Sequence, residues 1–213
     1  MDRRERMVLE QLRRRDIRDP RVLAAFAALP REEFVDPTQD RYAYDDGPLS
    51  IGYGQTISQP YVVAMTVQAL RLAGHERVLE IGTGSGYAAA ILGKLAREVY
   101  TVERIPELAQ TATERLARLG ITNVHVRCGD GTLGWPEHGP YEAIAVAAGA
   151  PAPPRSLLSQ LTIGGRLVLP HGTASSQRLV RITRKTETEF SEEDLGDVRF
   201  VPLIGAEGWA EYN

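Results

Sequence analysis

Short apolar runs alternate with amphipathic segments through the middle of this sequence. From Pro106 to Leu119 apolar residues recur every three or four positions and Gly120 follows, which predicts a helix that ends at a glycine. Another helix is predicted from Tyr87 to Leu95. Strands that alternate with helices predict an α/β fold with a mostly parallel, doubly wound sheet and helices on both faces. The predicted strands are Val78 to Ile81, Val99 to Val102, Val124 to Cys128, Tyr141 to Ala147, and Arg166 to Leu169 after a turn at Gly164-Gly165.

The two ends of the sequence have patterns of their own. Residues 2–15 predict an amphipathic helix, and we interpret its Arg13 to Arg15 cluster as a solvated helix end rather than an anion site. Asp19-Pro20 predicts the start of a second helix, which Pro30 ends. Towards the C-terminus, two alternating stretches predict an antiparallel strand pair, joined by a link too acidic to be core. The pair is Arg178 to Arg184 and Asp197 to Leu203, and the link is Lys185 to Asp194.

Residues 35–60 contain many prolines and glycines and few signals for regular structure. A segment of this length in a compact domain is usually functional, and together with the N-terminal helices it is interpreted as a lid. It leads into a helix predicted from Tyr61 to Leu72, for which Ser58 is a candidate N-cap. We interpret the chain as a single domain. Its three parts are 1–60 (helices and lid), 61–175 (ligand-binding core) and 176–213 (C-terminal strands).

The stretch from Val78 to Tyr87 predicts a strand, a glycine-rich turn and a helix start. Gly82, Gly84 and Gly86 permit a sharp turn and the close approach of a ligand to the main chain, while the first N–H groups of the helix point to the same place. The next predicted strand ends in Glu103, whose carboxylate can accept hydrogen bonds from both hydroxyls of a ribose. This arrangement is typical of a nucleoside-binding site.

The spacing of the glycines and the preceding Glu80 narrow the choice of ligand. Dinucleotide sites have the pattern G-x-G-x-x-G, whereas this loop has G-x-G-x-G. Glu80 would repel a pyrophosphate and suits a ligand with a cationic amino-acid end, such as S-adenosylmethionine. The alternative is a tight turn without a ligand. A nucleophile elbow is excluded, because Gly84 and not a serine is central in the window from Gly82 to Gly86.

Composition limits the classes of function. The net charge of −3 gives no electrostatic case for a nucleic-acid partner. No apolar run is long enough to span a membrane and no signal peptide is found, so we expect a cytoplasmic protein. A monomer is also expected. The only cysteine, Cys128, cannot form an internal disulfide and is interpreted as a small buried hydrophobe. The four histidines lack the spacing of metal ligands, so no metal is expected.

Segments along almost the whole chain resemble the protein-L-isoaspartate (D-aspartate) O-methyltransferases, in the same order as in that family. The glycine loop is common to many methyltransferases, whereas the Gln-Thr-Ile-Ser and Phe-Val-Pro-Leu stretches are far more specific. The matching segments are Gly54 to Ser58, Val78 to Gly86, Gly129 to Trp135, Pro140 to Ile144, Gly164 to Pro170 and Arg199 to Leu203.

The resemblance implies a Rossmann-like class I methyltransferase fold, a reaction and a set of site residues. The reaction is methylation, by S-adenosylmethionine, of the free carboxylate of L-isoaspartyl residues in damaged proteins and peptides. The ester then collapses to a succinimide, whose hydrolysis regenerates some normal aspartate. Ser58 is implied at the active site, which is compatible with a cap role. The implied cofactor-binding residues are Thr56, Ile57, Gln59, Glu80, Gly82, Thr83, Gly84, Gly86, Glu103 (at the ribose) and Arg104, with Gly129, Asp130 and Gly131 at the adenine.

The sequence departs from the family pattern in two loops. Gln59-Pro60-Tyr61 stands where the family often has Ala-Pro-His, and Val146 to Pro151 has its glycine at a shifted position. Substrate contacts from the second loop are therefore not carried over, nor is any site residue between Gly205 and Trp209.

The implied reaction needs positioning more than acid–base chemistry. A carboxylate with a pKa of roughly 4 is already ionised at neutral pH, so no catalytic His, Cys or Lys is expected. Ser58 is predicted to orient the substrate carboxylate or the closing loop. Three rivals stay open: a methyltransferase of small molecules or RNA bases, an NAD-dependent oxidoreductase, and a nucleoside-binding module without catalysis.

Overall fold

A computed structural model describes residues 1–210, which contain six α-helices and nine strands. The helices are α1 (Arg3–Met7), α2 (Pro20–Ala28), α3 (Pro60–Leu70), α4 (Tyr87–Gly93), α5 (Pro106–Arg118) and α6 (Arg155–Ser159). The strands are β1 (Leu49–Gly52), β2 (Gln55–Ile57), β3 (Arg77–Ile81), β4 (Glu98–Glu103), β5 (Val124–Cys128), β6 (Tyr141–Val146), β7 (Leu161–Gly172), β8 (Gln177–Arg184) and β9 (Phe190–Val198).

Seven strands form one sheet in the order β5-β4-β3-β6-β7-β8-β9. The five strands from β5 to β7 are parallel, and β8 and β9 are antiparallel. This confirms the predicted doubly wound fold with an antiparallel C-terminal pair. Because successive strands lie on opposite sides of β3, the carboxyl ends of β3, β4 and β6 border a crevice of the kind that binds ligands in such sheets.

The buried apolar positions explain why these segments form the centre of the sheet. Val78, Leu79 and Ile81 of β3 are fully buried, as expected for a central strand with helices on both faces. Helix α5 buries its predicted face and ends before Gly120, whose φ of +68° only glycine adopts readily. The buried residues of that face are Leu108, Ala109, Ala112 and Leu116.

The N-terminal helices agree with their sequence signals. The segment predicted as one helix over 2–15 is α1 followed by a π-helix, Val8–Arg13. Asp19 caps α2, accepting a 2.8 Å hydrogen bond from the Arg21 N–H, and Pro20 occupies the first turn. Phe26 and Phe34 pack edge-on against the ring of Tyr87 at the start of α4. The N-terminal segment therefore covers the helix that follows the glycine loop.

The prediction that residues 35–60 lack regular structure is wrong. They contain a 3₁₀ helix, Pro37–Tyr42, and an antiparallel hairpin of β1 and β2. The hairpin turn places Gly52, Tyr53 and Gly54 at positive φ. Strands of three and four residues are too short for an alternating pattern to stand out from the glycines around them.

Two predictions about the C-terminal strands are wrong in extent. Strand β7 runs through Gly164-Gly165 instead of starting after them. The partner of β8 is β9, so half of the acidic link from Lys185 to Asp194 is itself a strand, and the strand predicted from Asp197 to Leu203 ends at Val198. It forms the exposed edge of the sheet, where charged side chains are tolerated. The acidic side chains correctly indicated that this segment lies outside the core, but they do not prevent it from pairing in the sheet.

Cys128 is exposed, so its interpretation as a buried hydrophobe is wrong. Strand β5 is the other edge of the sheet, and its last two residues lie outside the core. Within residues 1–210, every helix falls short of the length and apolarity that crossing a bilayer requires. The division into parts 1–60, 61–175 and 176–213 stays a prediction.

Candidate active site

The glycine loop after β3 turns sharply, and two of its three glycines lie against other elements of the fold. Gly82, Gly84 and Gly86 have φ values of +91°, +52° and +86°. A Cβ on Gly84 would lie 3.3 Å from Cδ1 of Ile51, so the β1–β2 hairpin lies close above the loop. Gly86 precedes α4 and packs against Ala112 of α5. Gly84 therefore admits close approach to the main chain, whereas Gly86 serves the contact between helices.

Glu103 lies at the carboxyl end of β4 and is held by two backbone N–H groups. Its Oε2 accepts a 2.9 Å hydrogen bond from Gly84, and its Oε1 accepts a 3.0 Å bond from Ile105. The side chain is buried but lines the cavity beside the glycine loop. Since a carboxylate oxygen can accept more than one hydrogen bond, capacity remains for hydroxyl groups of a ligand.

A cavity enclosing about 770 Å³, its open mouth included, lies at the carboxyl ends of β3 and β4. Its walls are mostly apolar, with main chain from the glycine loop on one side and Glu103 and Arg104 at one end. Nine residues predicted from the sequence line it: Thr56, Ile57, Ser58, Gly82, Thr83, Gly84, Glu103, Arg104 and Gly131.

Ser58 lies where this cavity meets a wider groove. The groove encloses about 1550 Å³, open space included, and shares five lining residues with the cavity: Thr56, Ser58, Ala147, Val201 and Pro202. The prediction that Ser58 caps the following helix is wrong, because Gln59 occupies the N-cap position and no side chain caps α3. Proline at the first helical position removes one N–H that a cap would otherwise satisfy. The Ser58 hydroxyl makes no hydrogen bond within residues 1–210, which leaves it available to a ligand.

The residues of the cavity fit S-adenosylmethionine. An anionic hydrogen-bond acceptor stands at the end of β4, the glycine main chain is accessible, and apolar side chains such as Ile81, Val102 and Leu203 form walls suited to a purine. The cavity opens to the groove beside Ser58, where a methyl acceptor could enter.

Comparison with known proteins identifies the family. The family profile described as protein-L-isoaspartate(D-aspartate) O-methyltransferase (PCMT) matches residues 3–208. The chain belongs to the protein-L-isoaspartate O-methyltransferase family.

Similar proteins and structures agree with this membership. Protein-L-isoaspartate O-methyltransferase 2 of Pelobacter propionicus is 59% identical over 97% of this chain and 92% of its own length. Protein-L-isoaspartate O-methyltransferase 1 of Rhodopseudomonas palustris is 60% identical over 97% of this chain and 85% of its own. A solved protein-L-isoaspartate O-methyltransferase has 32% identity and a TM-score of 0.87, covering 96% of this chain and 67% of that one.

A solved Plasmodium falciparum structure in complex with S-adenosyl-L-homocysteine has 26% identity and a TM-score of 0.82, covering 96% of this chain and 99% of that one. Membership of the protein-L-isoaspartate O-methyltransferases confirms three predictions: the family, the enzyme class and S-adenosylmethionine as cofactor.

In this methyltransferase Glu80 lies below the cofactor cavity rather than on its wall. The side chain is buried, and its Oε2 accepts a 2.5 Å hydrogen bond from Thr101 Oγ1. Its Oε1 has no partner within residues 1–210, and Glu80 lines a small apolar cavity together with Ser58. Burial raises the pKa of Glu80 to about 8, the Thr101 hydrogen bond opposes the shift, and the charge of Glu103 adds to it. Contact between Glu80 and the amino-acid end of the cofactor stays a prediction.

Asp130 holds the C-terminal segment of the enzyme in place. Its Oδ1 accepts hydrogen bonds from the N–H and hydroxyl of Thr132, and its Oδ2 accepts a 2.7 Å bond from the Ala206 N–H. Burial alone would raise the pKa of Asp130, but these hydrogen bonds outweigh it and lower the pKa. Asp130 and Gly129 do not line the cofactor cavity, whereas Gly131 does. A role for Asp130 at the adenine stays a prediction.

The segment from Val201 to Trp209, here called the C-terminal strap, crosses the cofactor cavity. Gly149 anchors it, donating a 2.8 Å hydrogen bond to the Val201 carbonyl and accepting bonds from the Leu203 N–H and the Trp209 indole. A Cβ on Gly149 would lie 2.5 Å from the Gln177 side chain, which explains the glycine at this shifted position. The four strap residues that line the cavity are Val201, Pro202, Leu203 and Ile204.

One predicted residue lies in the groove instead of the cofactor cavity, and one buried residue was missed by sequence reasoning. Gln59, predicted at the cofactor, lines the groove instead, and its side chain bonds to Asp46. Arg31 is fully buried near Ser58, with its guanidinium 5.0 Å from the ring of Tyr87, a residue of the cavity wall. No local pattern marks Arg31, since an arginine beside two glutamates is typical of a solvated surface.

Proposed function

We propose that this chain methylates the free carboxylate of L-isoaspartyl residues in damaged proteins and peptides, and that Ser58 is its catalytic residue. The observation that carries the residue assignment is the position of Ser58 at the junction of the enclosed cavity and the open groove. A cofactor in the cavity and a peptide in the groove would meet there. Family membership supports the activity itself.

The chemistry asks the protein to position an acceptor. S-adenosylmethionine, when bound, supplies a sulfonium methyl group that is already activated. The substrate carboxylate, with a pKa of roughly 4, is an anion at neutral pH. The Ser58 hydroxyl donates a hydrogen bond to one carboxylate oxygen and leaves the other free to attack. In-line placement of this kind supplies up to roughly 7–11 kcal/mol of the barrier reduction.

The remaining roles follow from where the residues lie. Glu103 would accept the ribose hydroxyls, while the main chain at Gly82 and Gly84 would contact the methionine part. The hairpin of β1 and β2 is a lid, because Ile51 reaches the glycine loop and the groove begins at its base. The groove is open and holds both Asp197 and Arg199, which suits a flexible peptide better than a compact small molecule. Equal proteolysis of residues 48–57 with and without S-adenosylhomocysteine would contradict the lid.

We further propose a monomer acting in the cytoplasm, without nucleic-acid partners. The exposed thiol of Cys128 suits a reducing compartment. The net charge of −3 does not favour binding to phosphate backbones. Sedimentation of the purified chain tests the monomer directly, and a concentration-dependent mass would refute it.

The deciding experiment uses methyl-labelled S-adenosylmethionine and two peptides that differ at one residue, isoaspartate against aspartate. The readout is base-labile label released as methanol, and label on the isoaspartyl peptide alone is expected. Ser58→Ala should lower kcat/KM strongly while S-adenosylhomocysteine still binds. Ser175→Ala, in an exposed turn, is the matched control and should keep full activity. Full activity of Ser58→Ala would overturn the assignment of this residue without touching the proposed reaction.

A further inference from the structure

A basic cavity lies on the sheet away from the cofactor. It encloses about 840 Å³, its open mouth included, at the side of the sheet where α3 ends. Arg166 pairs with Ala143 near the amino-terminal end of β6, whereas the cofactor cavity lies at the carboxyl ends of the parallel strands. The two cavities have no lining residue in common.

The strand register gathers hydrogen-bond donors in this cavity. Arg166 of β7 lies opposite Thr183 of β8, which lies opposite Ser191 of β9. Directly opposite residues on neighbouring strands are close enough for their side chains to act on one ligand. Arg181, one position along the same face, lies opposite Glu193. Three adjacent strands therefore present a guanidinium and two hydroxyls in one row.

Helix α3 and the end of β8 add two more cations. Arg71 follows α3 with a φ of +52°, a conformation in which glycine is usual at a helix end. Lys185 follows β8 and is exposed. Both line the cavity, and their side chains make no hydrogen bond or ion pair within the part of the chain that the structure describes.

The half-buried Arg166 and the buried Arg181 have a structural role that uses only part of their donors. Arg166 donates to the Arg71 carbonyl at 3.1 Å, and Arg181 donates to the Ala69 carbonyl at 3.3 Å, so both stabilise the end of α3. Arg181 also pairs with Glu193, the one carboxylate that lines the cavity among residues 1–210. The Nε of Arg166 is buried without a partner among residues 1–210. Four cations thus face one carboxylate, and one buried donor is unsatisfied.

We propose that this cavity binds a small multivalent oxyanion of the phosphate class. Arg71 and Lys185 supply the uncompensated charge, and Arg166, Thr183 and Ser191 supply directed donors. Phosphate accepts several hydrogen bonds at once and pairs well with guanidinium groups, whereas a carboxylate offers fewer acceptors and less charge.

The electrostatics of Arg166 agree with this inference. Burial lowers the pKa of its guanidinium, Glu76 opposes the shift, and the nearby charges of Arg71 and Arg181 lower the pKa further. A bound anion would relieve the repulsion among these three cations. Glu76, held by the N–H groups of Ala73 and Gly74, offsets only part of this repulsion.

Calorimetric titration with inorganic phosphate tests the proposal. S-adenosylhomocysteine is kept saturating, so that the cofactor cavity is filled, and chloride holds the ionic strength constant. The double variant Arg71→Gln/Lys185→Gln should weaken phosphate binding at least tenfold with kcat for methyl transfer unchanged. The matched control, Lys94→Gln/Arg97→Gln, removes the same two residue types from exposed positions elsewhere and should bind phosphate like the parent.

Two outcomes would overturn the proposal: no saturable heat from the parent protein, or equal phosphate affinity in the two double variants. A phosphoserine peptide as competitor distinguishes the source of the anion. If the phosphoserine peptide binds this cavity more tightly than free phosphate does, the site is assigned to phosphorylated side chains. If the peptide binds more weakly than free phosphate, the site is assigned to free phosphate.

Discussion

The guanidinium of Arg31 donates a 3.0 Å hydrogen bond from Nη2 to the carbonyl oxygen of Ser58. Its Nε donates a 2.7 Å bond to the carbonyl of Ala43, and the residue is fully buried without an ion pair in the described chain. A buried cation without a counter-ion is costly, and here carbonyl dipoles and the ring of Tyr87 offset that cost. Arg31 therefore fixes the backbone of the proposed catalytic residue to the N-terminal segment.

Arg31→Met should lower kcat roughly 10- to 100-fold, because misplacement by about 1 Å has effects of this size. KM for the peptide should change little, and Arg31→Lys should recover part of the rate. Steady-state methanol release measures this, with S-adenosylhomocysteine affinity as the control for folding. A variant that loses stability but keeps kcat would show that Arg31 only supports the fold.

Glu103→Gln should weaken S-adenosylhomocysteine binding about tenfold or more, which corresponds to about 1.4 kcal/mol. The amide lacks the charge and one of the two acceptor oxygens that bind Gly84 and Ile105. Calorimetry measures the affinity. Glu107→Gln, exposed in the first turn of α5, is the control and should bind like the parent. Unchanged affinity of Glu103→Gln would contradict the ribose role.

Glu80→Gln should flatten the dependence of stability on pH. The pKa of Glu80 is about 8 in the folded protein and about 4.3 in an unfolded chain. Its contribution to stability is therefore full below about pH 4.3 and is lost as pH rises to about 8. The variant should gain on the parent over that range, by up to a few kcal/mol. Urea unfolding from pH 5 to 9 tests this, with Glu114→Gln, an exposed helix residue, as control. Parallel curves for parent and Glu80→Gln would contradict a buried, protonated carboxyl.

Asp130→Asn should loosen the C-terminal strap, because an amide nitrogen cannot accept the hydrogen bond from Ala206. The cost is on the order of 1–2 kcal/mol, and dissociation of S-adenosylhomocysteine should accelerate several-fold. Stopped-flow displacement measures the rate, and Asp45→Asn, an exposed residue, is the control. If Asp130→Asn lowers the affinity for S-adenosylhomocysteine only by slowing its association, Asp130 does not act through the strap.

The sequence predicts well those parts of the fold that depend on local pattern. The glycine loop, Glu103 at the end of β4 and the helix that ends at Gly120 all lie where their spacing indicates. Their conformations are dictated by backbone freedom or by burial on both faces, and such constraints show in a short window of residues.

The errors arise where the position of a strand in the sheet decides the outcome. Cys128 is exposed because β5 is an edge strand, and a run of apolar residues does not reveal strand order. Ser58 has the composition of an N-cap, but the chain turns one residue later. Arg31 and Gly149 acquire their roles from partners distant in sequence, so no motif could have identified them.

The acidic edge strand β9 affects whether extended segments of other proteins can pair with the sheet of this enzyme. An unpaired strand edge is a template on which other extended chains can add, and damaged, partly unfolded proteins offer many such chains. Glu192, Glu193, Asp194 and Asp197 place four carboxylates along this edge, and three of them pair with Arg178 and Arg181 of β8. Added backbone would have to approach through those carboxylates, which disfavours pairing of a further extended chain with this edge.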